Sequence, residues 1–131
     1  MPHLRFEYSR GLEQIADLDR LANVLRDALA GSDAVPLGGI RVRGFRADHQ
    51  AIADGAGQYH FLDMELRLGA GRDEATRAAL ADALYRAAEG ELRPSLGAIP
   101  FILSFELREI DSRFSRKGWS TIHAALQERQ R

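Results

Sequence analysis

The chain has 131 residues, 45% of them hydrophobic and 28% charged, which is an ordinary balance for a globular protein with a buried core. No apolar run approaches the ~20 residues of a membrane-spanning helix, and no basic segment followed by an apolar stretch marks a signal peptide. The absence of cysteine excludes disulfide bonds, thiol nucleophiles and thiolate metal sites. We therefore expect one cytoplasmic domain over residues 1–131.

The basic residues are balanced in number but uneven in kind. The formal net charge is −1, and acidic and basic residues are interspersed, so no surface for nucleic acid is predicted. Lys117 is the only lysine among the 18 basic residues. Arginine binds carboxylates through a rigid two-donor fork, which would suit a polyanionic metabolite. High-GC codon usage would give the same excess of arginine. The positions of individual arginines therefore have to show whether any of them binds an anion.

The first half of the chain predicts a strand, a helix and a second strand. Apolar and polar residues alternate over 2–9 and again over 40–45, which is the pattern of a strand with one face in the core. Between them, residues 18–29 carry apolar side chains at i, i+3 and i+4 and predict a helix, with Asp17 as its N-cap and Gly31 just beyond its end.

The second half predicts the same order of elements. Residues 59–68 and 101–110 alternate like strands. Between them, helical spacing of apolar residues runs to Leu92 after Asp73 as N-cap. Pro94 predicts a kink in this helix or its end, because proline lacks the N–H that the helix needs.

A C-terminal segment follows the second half. Residues 117–119 predict a turn, and Ser120–Gln127 predict a short helix capped by Ser120. Trp119 in this turn has three possible roles that the sequence leaves open: packing against a neighbouring subunit, closing a pocket, or packing within its own chain.

The repeated order of elements predicts an α/β (α+β) fold made of duplicated β-α-β units. The halves cover about residues 2–47 and 59–110, separated by a glycine-containing loop, and an extension covers 111–131. Right-handed crossovers would make the strands of each half parallel and give a four-stranded sheet with two helices on one face. The other face would carry charged residues: Arg5, Glu7, Arg41, Arg43, Asp63, Glu65, Arg67, Glu106 and Arg108. Both solvent and the lumen of an oligomer would suit this face.

Pro2 is the residue with the most suggestive chemistry. Methionine before a small residue such as proline is normally removed, which would leave Pro2 with a secondary amine in place of an amide. An α-amino group titrates near ~8, and burial or nearby cations lower that pKa. The result would be a neutral base near pH 7 that can take a proton next to a carbonyl. Proline at position 2 also occurs in proteins where it has no function, so Pro2 alone does not establish a catalytic role.

Other motifs give no sign of a cofactor. The four histidines are scattered without the spacing of metal ligands. The Gly-Ala-Gly of residues 69–71 lacks the remainder of a dinucleotide-binding fingerprint. We therefore expect neither a metal nor a cofactor.

Five stretches, taken in order, resemble one family. They are PHLRFEYS at 2–9, PLGGIRVR at 36–43, ADGAGQYHF at 53–61, LGAGR at 68–72 and LSFELREI at 103–110. The family that they resemble is that of the 5-carboxymethyl-2-hydroxymuconate isomerases, in the tautomerase superfamily. The resemblance runs from residue 2 to about residue 126, and the ordered set is more specific than any one stretch.

The resemblance implies an assembly and a set of site residues. It implies a homotrimer whose sheets form a central barrel, which favours a lumen over solvent for the charged face. It implies a catalytic amino-terminal proline, matched by Pro2. It also implies two arginines that bind and polarise the carboxylates and carbonyl of the substrate, matched by Arg41 and Arg72. Alternation turns the side chain of His3 away from Pro2, so we predict a structural hydrogen bond for His3.

The residues themselves leave structural alternatives for both arginines. Arg41 could form an ion pair with Glu7 or Glu106 on the polar face of the sheet. Arg72 could pair with the acidic residues that follow it at the start of the second helix.

The activity that the resemblance implies is the ketonisation of a dienol, 5-carboxymethyl-2-hydroxymuconate, during bacterial breakdown of homoprotocatechuate. This substrate carries three carboxylates, so the expected partners are a small polycarboxylate and further copies of the chain. No membrane or nucleic acid is expected to bind. The alternatives are a tautomerase acting on another unsaturated oxo-acid and a non-catalytic module that binds a small molecule.

Overall fold

Four strands and three α-helices make up the fold in a computed structural model that describes residues 1–130. The strands are β1 (His3–Ser9), β2 (Arg41–Ala47), β3 (His60–Gly69) and β4 (Phe101–Ile110). The helices are α1 (Leu18–Ala30), α2 (Glu74–Leu96) and α3 (Ile122–Arg129). The predicted order of elements is confirmed, whereas Arg131, the last residue of the predicted extension, lies outside the described residues. Neither α2 nor another helix within residues 1–130 has the length and apolar composition needed to cross a membrane.

The sheet joins the two halves through its central strands. Its order is β2-β1-β3-β4, with β1 parallel to β2, β3 parallel to β4, and β1 antiparallel to β3. The predicted parallel pairing within each half is therefore confirmed. Because β1 lies in the middle of the sheet, its first residue His3 has a neighbouring strand on both sides.

The core lies between the sheet and helices α1 and α2, as the two periodic patterns predict. The strands contribute Leu4, Phe6, Leu62, Met64, Leu66 and Leu68, and the helices contribute Leu21, Leu25, Leu29, Leu80, Leu84 and Leu92. Burial of each such side chain contributes about 1.5–3 kcal/mol of transfer free energy. The predicted position of both helices on one face of the sheet is thus confirmed. Gly44 in β2 leaves room for this packing, since a Cβ there would overlap the ring of Phe6.

Local capping fixes the starts of α1 and α2. The side chains of Asp17 and Asp73 each accept a hydrogen bond from the backbone N–H three residues later, at 3.0 and 2.8 Å. Both N-caps agree with the prediction, and Gly31 follows α1 as expected. Pro94 does not end α2, which continues to Leu96. A proline so close to the C-terminus removes only one hydrogen bond from the last turns.

Helix α3 begins later than the sequence predicts. Thr121 occupies the N-cap position without a side-chain hydrogen bond, so the prediction of Ser120 as the cap was wrong. A contact from the rest of the fold holds α3 instead. His123 packs directly on Gly38 in the turn before β2, where a Cβ would overlap the imidazole ring.

Candidate active site

The chain enters the sheet with Pro2 buried. The ring of Pro2 is under 2% exposed, and its carbonyl accepts a hydrogen bond of 3.3 Å from the backbone N–H of Arg41. The turn Leu37–Gly39 packs against this ring, since a Cβ on Gly39 would lie only 3.1 Å from the Pro2 Cδ. Glycine at this position therefore lets the turn close over the start of β1.

A cavity of about 280 Å³ opens beside the amino terminus. Six of the residues that line it are Met1, His3, Arg41, Arg67, Arg116 and Lys117. A second, shallower hollow shares Met1, Arg41 and Trp119 with it. No acidic residue of the described chain lines either space, so the cavity is basic and suits an anion.

Arg41 contributes a guanidinium that no carboxylate neutralises. Its Nε donates to the carbonyl of Gly39 at 3.3 Å, and its Nη2 donates to Nε2 of His3 at 3.0 Å. Within residues 1–130, no carboxylate lies within 4.0 Å of it, so the alternative of an ion pair with Glu7 or Glu106 was wrong. Three of its five N–H groups remain available to the cavity.

His3 accepts a hydrogen bond from Arg41 as a neutral imidazole. Guanidinium nitrogens only donate, so Nε2 of His3 has to be the accepting nitrogen. Burial and then the charges of Arg41, Arg67 and Arg43 lower the pKa of His3 to about 4. The imidazole is consequently uncharged at neutral pH, and the predicted structural hydrogen bond of His3 is confirmed.

Strand pairing sorts the charges of the open sheet face into rows. From β2 to β4, the row beside the cavity is Arg41, His3, Arg67 and Arg108. The next row is Arg43, Arg5, Glu65 and Glu106, and the third is Phe45, Glu7, Asp63 and Ser104. Arg108 binds Glu106 at 2.8 Å, whereas Arg67 has no ion pair among the residues described. The face is thus graded, with its basic end at the cavity.

Arg72 lies next to the cavity but is tied to the backbone. Its Nε and Nη2 donate to the carbonyl of Ala34 at 2.9 and 2.7 Å, and its Nη1 donates to the carbonyl of Gly69 at 2.9 Å. The alternative of an ion pair with the following acidic residues was therefore wrong. Gly69 lines the cavity, whereas Arg72 does not. The structure thus brings Pro2 and Arg41 together, whereas Arg72 reaches the cavity only through its bond to Gly69. A contact of Arg72 with substrate therefore stays a prediction.

The electrostatic environment of the amino terminus favours a neutral amine. Burial, followed by the charges of Lys117, Arg72 and Arg41, lowers the pKa of the Met1 amino group. Each of these cations would disfavour a second positive charge in the same place. An amine held here is therefore a better candidate for a base at neutral pH than an exposed one.

The segment after β4 supplies two cavity residues that the sequence did not identify, Arg116 and Lys117, and also Trp119, for which closing a pocket was one predicted role. Arg116, Lys117 and Trp119 line the cavity, although no periodic pattern marks them. Trp119 is 93% exposed, so the alternative that it packs within its own chain was wrong. For Lys117, the one available signal was that it is the only lysine.

No group of three or more His, Asp or Glu residues within residues 1–130 is placed to hold a metal ion.

Comparison with known proteins gives the family. Residues 2–126 match the profile of the family described as 5-carboxymethyl-2-hydroxymuconate isomerase. The chain belongs to this family. It is 31% identical over 124 residues to a 5-carboxymethyl-2-hydroxymuconate Delta-isomerase of Escherichia coli, and the match covers 95% of this chain and 98% of that relative. The crystal structure of a 5-carboxymethyl-2-hydroxymuconate isomerase from Deinococcus radiodurans R1 is also 31% identical, covering 95% of this chain and 93% of that one with a TM-score of 0.86.

Membership of the 5-carboxymethyl-2-hydroxymuconate isomerase family confirms the predicted resemblance and the tautomerase-like α+β fold. The protein is an isomerase. The alternative of a non-catalytic binding module is therefore not supported.

Proposed function

We propose that this isomerase ketonises 5-carboxymethyl-2-hydroxymuconate and that Pro2, freed by removal of Met1, is the general base. One observation carries the proposal. The residue bonded to the Pro2 nitrogen lines a cavity that has several basic residues and no acidic one among those described. Removing Met1 would expose the secondary amine of Pro2 to this cavity.

The surroundings of the amino terminus suit this chemistry. Burial and the charges of Lys117, Arg72 and Arg41 already lower the pKa of the Met1 amine, and the Pro2 amine would lie one residue deeper. The neutral amine would take the hydroxyl proton of the dienol. The electron pair of the broken O–H bond would then form the second bond of the ketone C=O. The conjugated double bonds would shift, and the ammonium would return a proton to a distant carbon. Arg41 would bind a carboxylate and stabilise negative charge that develops on oxygen.

The pathway, compartment and assembly form part of the same proposal. We assign the reaction to bacterial breakdown of homoprotocatechuate in the cytoplasm, as the resemblance implies. We further propose a homotrimer whose lumen is lined by the graded sheet face. Exposed apolar side chains among those charges, Phe45 at 43% and Ile102 at 65%, support contacts with other subunits. Light scattering should give a mass near three times 14.6 kDa, and a stable active monomer would contradict the assembly.

The test of the base compares three proteins that differ only at the amino terminus. They are the Met1-processed protein, Pro2→Ala, and a variant with one residue inserted before Pro2. General-base catalysis typically contributes ~10²–10⁴-fold, so the insertion, which turns the amine into an amide, should lower kcat by up to that range. Pro2→Ala keeps a primary amine and should lose less.

The pH dependence gives a second measurement on the same proteins. kcat/KM of the processed protein should rise with pH through the pKa of the free amine, below the ordinary value of ~8. The inserted variant should lack this acid limb. A fully active preparation whose intact mass includes Met1 would refute the role of Pro2, whereas full activity only on a different unsaturated oxo-acid would replace the substrate and retain the base.

A further inference from the structure

The cavity has two basic sides that come from distant parts of the chain. The sheet side carries Arg41 and Arg67. The other side comes from residues 112–119, which we call the C-terminal wall, and it carries Arg116 and Lys117. A ligand in this cavity would therefore meet cations on two sides.

The cations of the cavity lack acidic partners. Within residues 1–130, no carboxylate lies within 4.0 Å of the side-chain nitrogens of Arg41, Arg67 or Lys117. By contrast, arginines elsewhere on the surface, such as Arg20, Arg46 and Arg93, each form an ion pair. In the C-terminal wall itself, Arg113 pairs with Asp111 at 2.8 Å and does not line the cavity. Like charges collected without a counterion repel one another, so an anion bound between them is stabilised.

Arg116 and Lys117 are not equally free to bind. Arg116 uses Nη1 to donate to the carbonyls of Arg113 and Ser115, both at 3.1 Å. Lys117 has no hydrogen bond or ion pair among the described residues and is exposed on a flexible stem. Its ammonium can therefore adjust to a carboxylate, whereas Arg116 adds a more fixed charge beside it.

We propose that Lys117, with Arg116 beside it, forms a second carboxylate subsite that selects tricarboxylates over dicarboxylates. This inference rests on the proposed function, in which Arg41 binds the carboxylate nearest the reacting oxygen. The carboxylate on the side branch of the substrate, which an unbranched dicarboxylate lacks, would then lie against the C-terminal wall. Since the wall and the sheet line one cavity of about 280 Å³, one small branched acid can contact both.

Binding of two inert acids tests the subsite without any need for catalysis. The probes are propane-1,2,3-tricarboxylate and its unbranched counterpart glutarate, titrated by calorimetry into the Met1-processed protein. Lys117→Ala should weaken tricarboxylate binding about 5–10-fold, between the value of an exposed ion pair and that of a charged hydrogen bond, and should leave glutarate binding unchanged. Arg113→Ala is the matched control in the same wall, and it should change neither affinity.

The kinetic counterpart uses the branched muconate and 2-hydroxymuconate, which lacks the carboxymethyl branch. Because Lys117 also lowers the pKa of the terminal amine, KM is compared on the plateau above the acid limb of each protein's pH profile. There, Lys117→Ala should raise KM for the branched substrate by a similar factor and should raise KM for the unbranched one by much less. Equal losses for both acids, or no loss for either, would overturn the subsite. If the tricarboxylate preference depends on Lys117 but no muconate is isomerised, the subsite stands and the proposed reaction fails. If the reaction proceeds with KM unaffected by Lys117→Ala, only the subsite fails.

Discussion

Replacing Arg72 by alanine should destabilise the fold more than it disturbs substrate binding. Three N–H groups of Arg72 are shared between the carbonyls of Ala34 and Gly69, so the side chain ties the loop after α1 to the end of β3. A hydrogen bond to a charged group is worth about 1.5–3 kcal/mol. The residue is half-buried, and water can replace part of these three hydrogen bonds. We therefore expect Arg72→Ala to lower the free energy of unfolding by about 2–4 kcal/mol.

Two further variants separate geometry from charge. Arg93→Ala is the matched control, because Arg93 is 76% exposed and pairs with Glu89 one helical turn away. Its loss should cost no more than ~0.5 kcal/mol. Arg72→Lys keeps the charge, but one ammonium cannot reproduce the planar fork across two carbonyls, so it should recover less than half of the loss.

The assay is equilibrium unfolding in urea at one fixed protein concentration, compared at constant m-value. A loss in Arg72→Ala no larger than that in Arg93→Ala would refute the backbone clamp. Kinetics then test the role in the site. Because the charge of Arg72 lowers the pKa of the amino terminus, Arg72→Ala should move the acid limb of kcat/KM to higher pH with little change in KM. A large rise in KM would instead support the predicted contact between Arg72 and a substrate carboxylate.

Two other predictions concern glycines and His3. Gly44→Ala should lower the free energy of unfolding by about 1–3 kcal/mol, since a Cβ would overlap the buried ring of Phe6, whereas Gly90→Ala inside α2, where a Cβ has open space, should raise it by about 0.5–1 kcal/mol. Urea unfolding checks both, and changes of the same sign would contradict the packing argument. The low pKa of His3 predicts that stability falls as pH drops from about 6.5 to about 4, because the unfolded chain takes up a proton that the folded chain excludes. His3→Gln, which keeps an acceptor but does not titrate, should make the stability curve flatter over this interval, and an unchanged slope would refute the assignment.

Local patterns were sufficient for most of the fold. Alternation identified all four strands because each has one face in the core, where a polar residue would be costly. Asp17 and Asp73 marked helix starts because a cap acts within three residues of itself. The start of α3 could not be predicted in this way, because the contact of His123 with Gly38 depends on where the remainder of the chain lies.

The residues of the candidate site could not be predicted from local patterns in the same way. Pro2 and Arg41 were predicted through the family motifs, since each lies inside a stretch that resembles the family. The basic row of Arg41, His3 and Arg67 exists only because β1 lies between β2 and β3, and the sequence did not indicate that strand order. Lys117 belongs to no periodic element, so only the folded chain brings it to the cavity.

The same cations have opposite effects before and after substrate binds. In the free protein, burial and the charges of Lys117, Arg72 and Arg41 lower the pKa of the terminal amine and so disfavour its protonated form. In our proposal, the carboxylates of the substrate then lie against Arg41 and Lys117 and offset their charge. The offset raises the basicity of the Pro2 amine at the moment when it has to accept a proton. A basic cavity with no acidic residue among those described would thus serve both needs, because the compensating negative charge arrives with the substrate and leaves with the product.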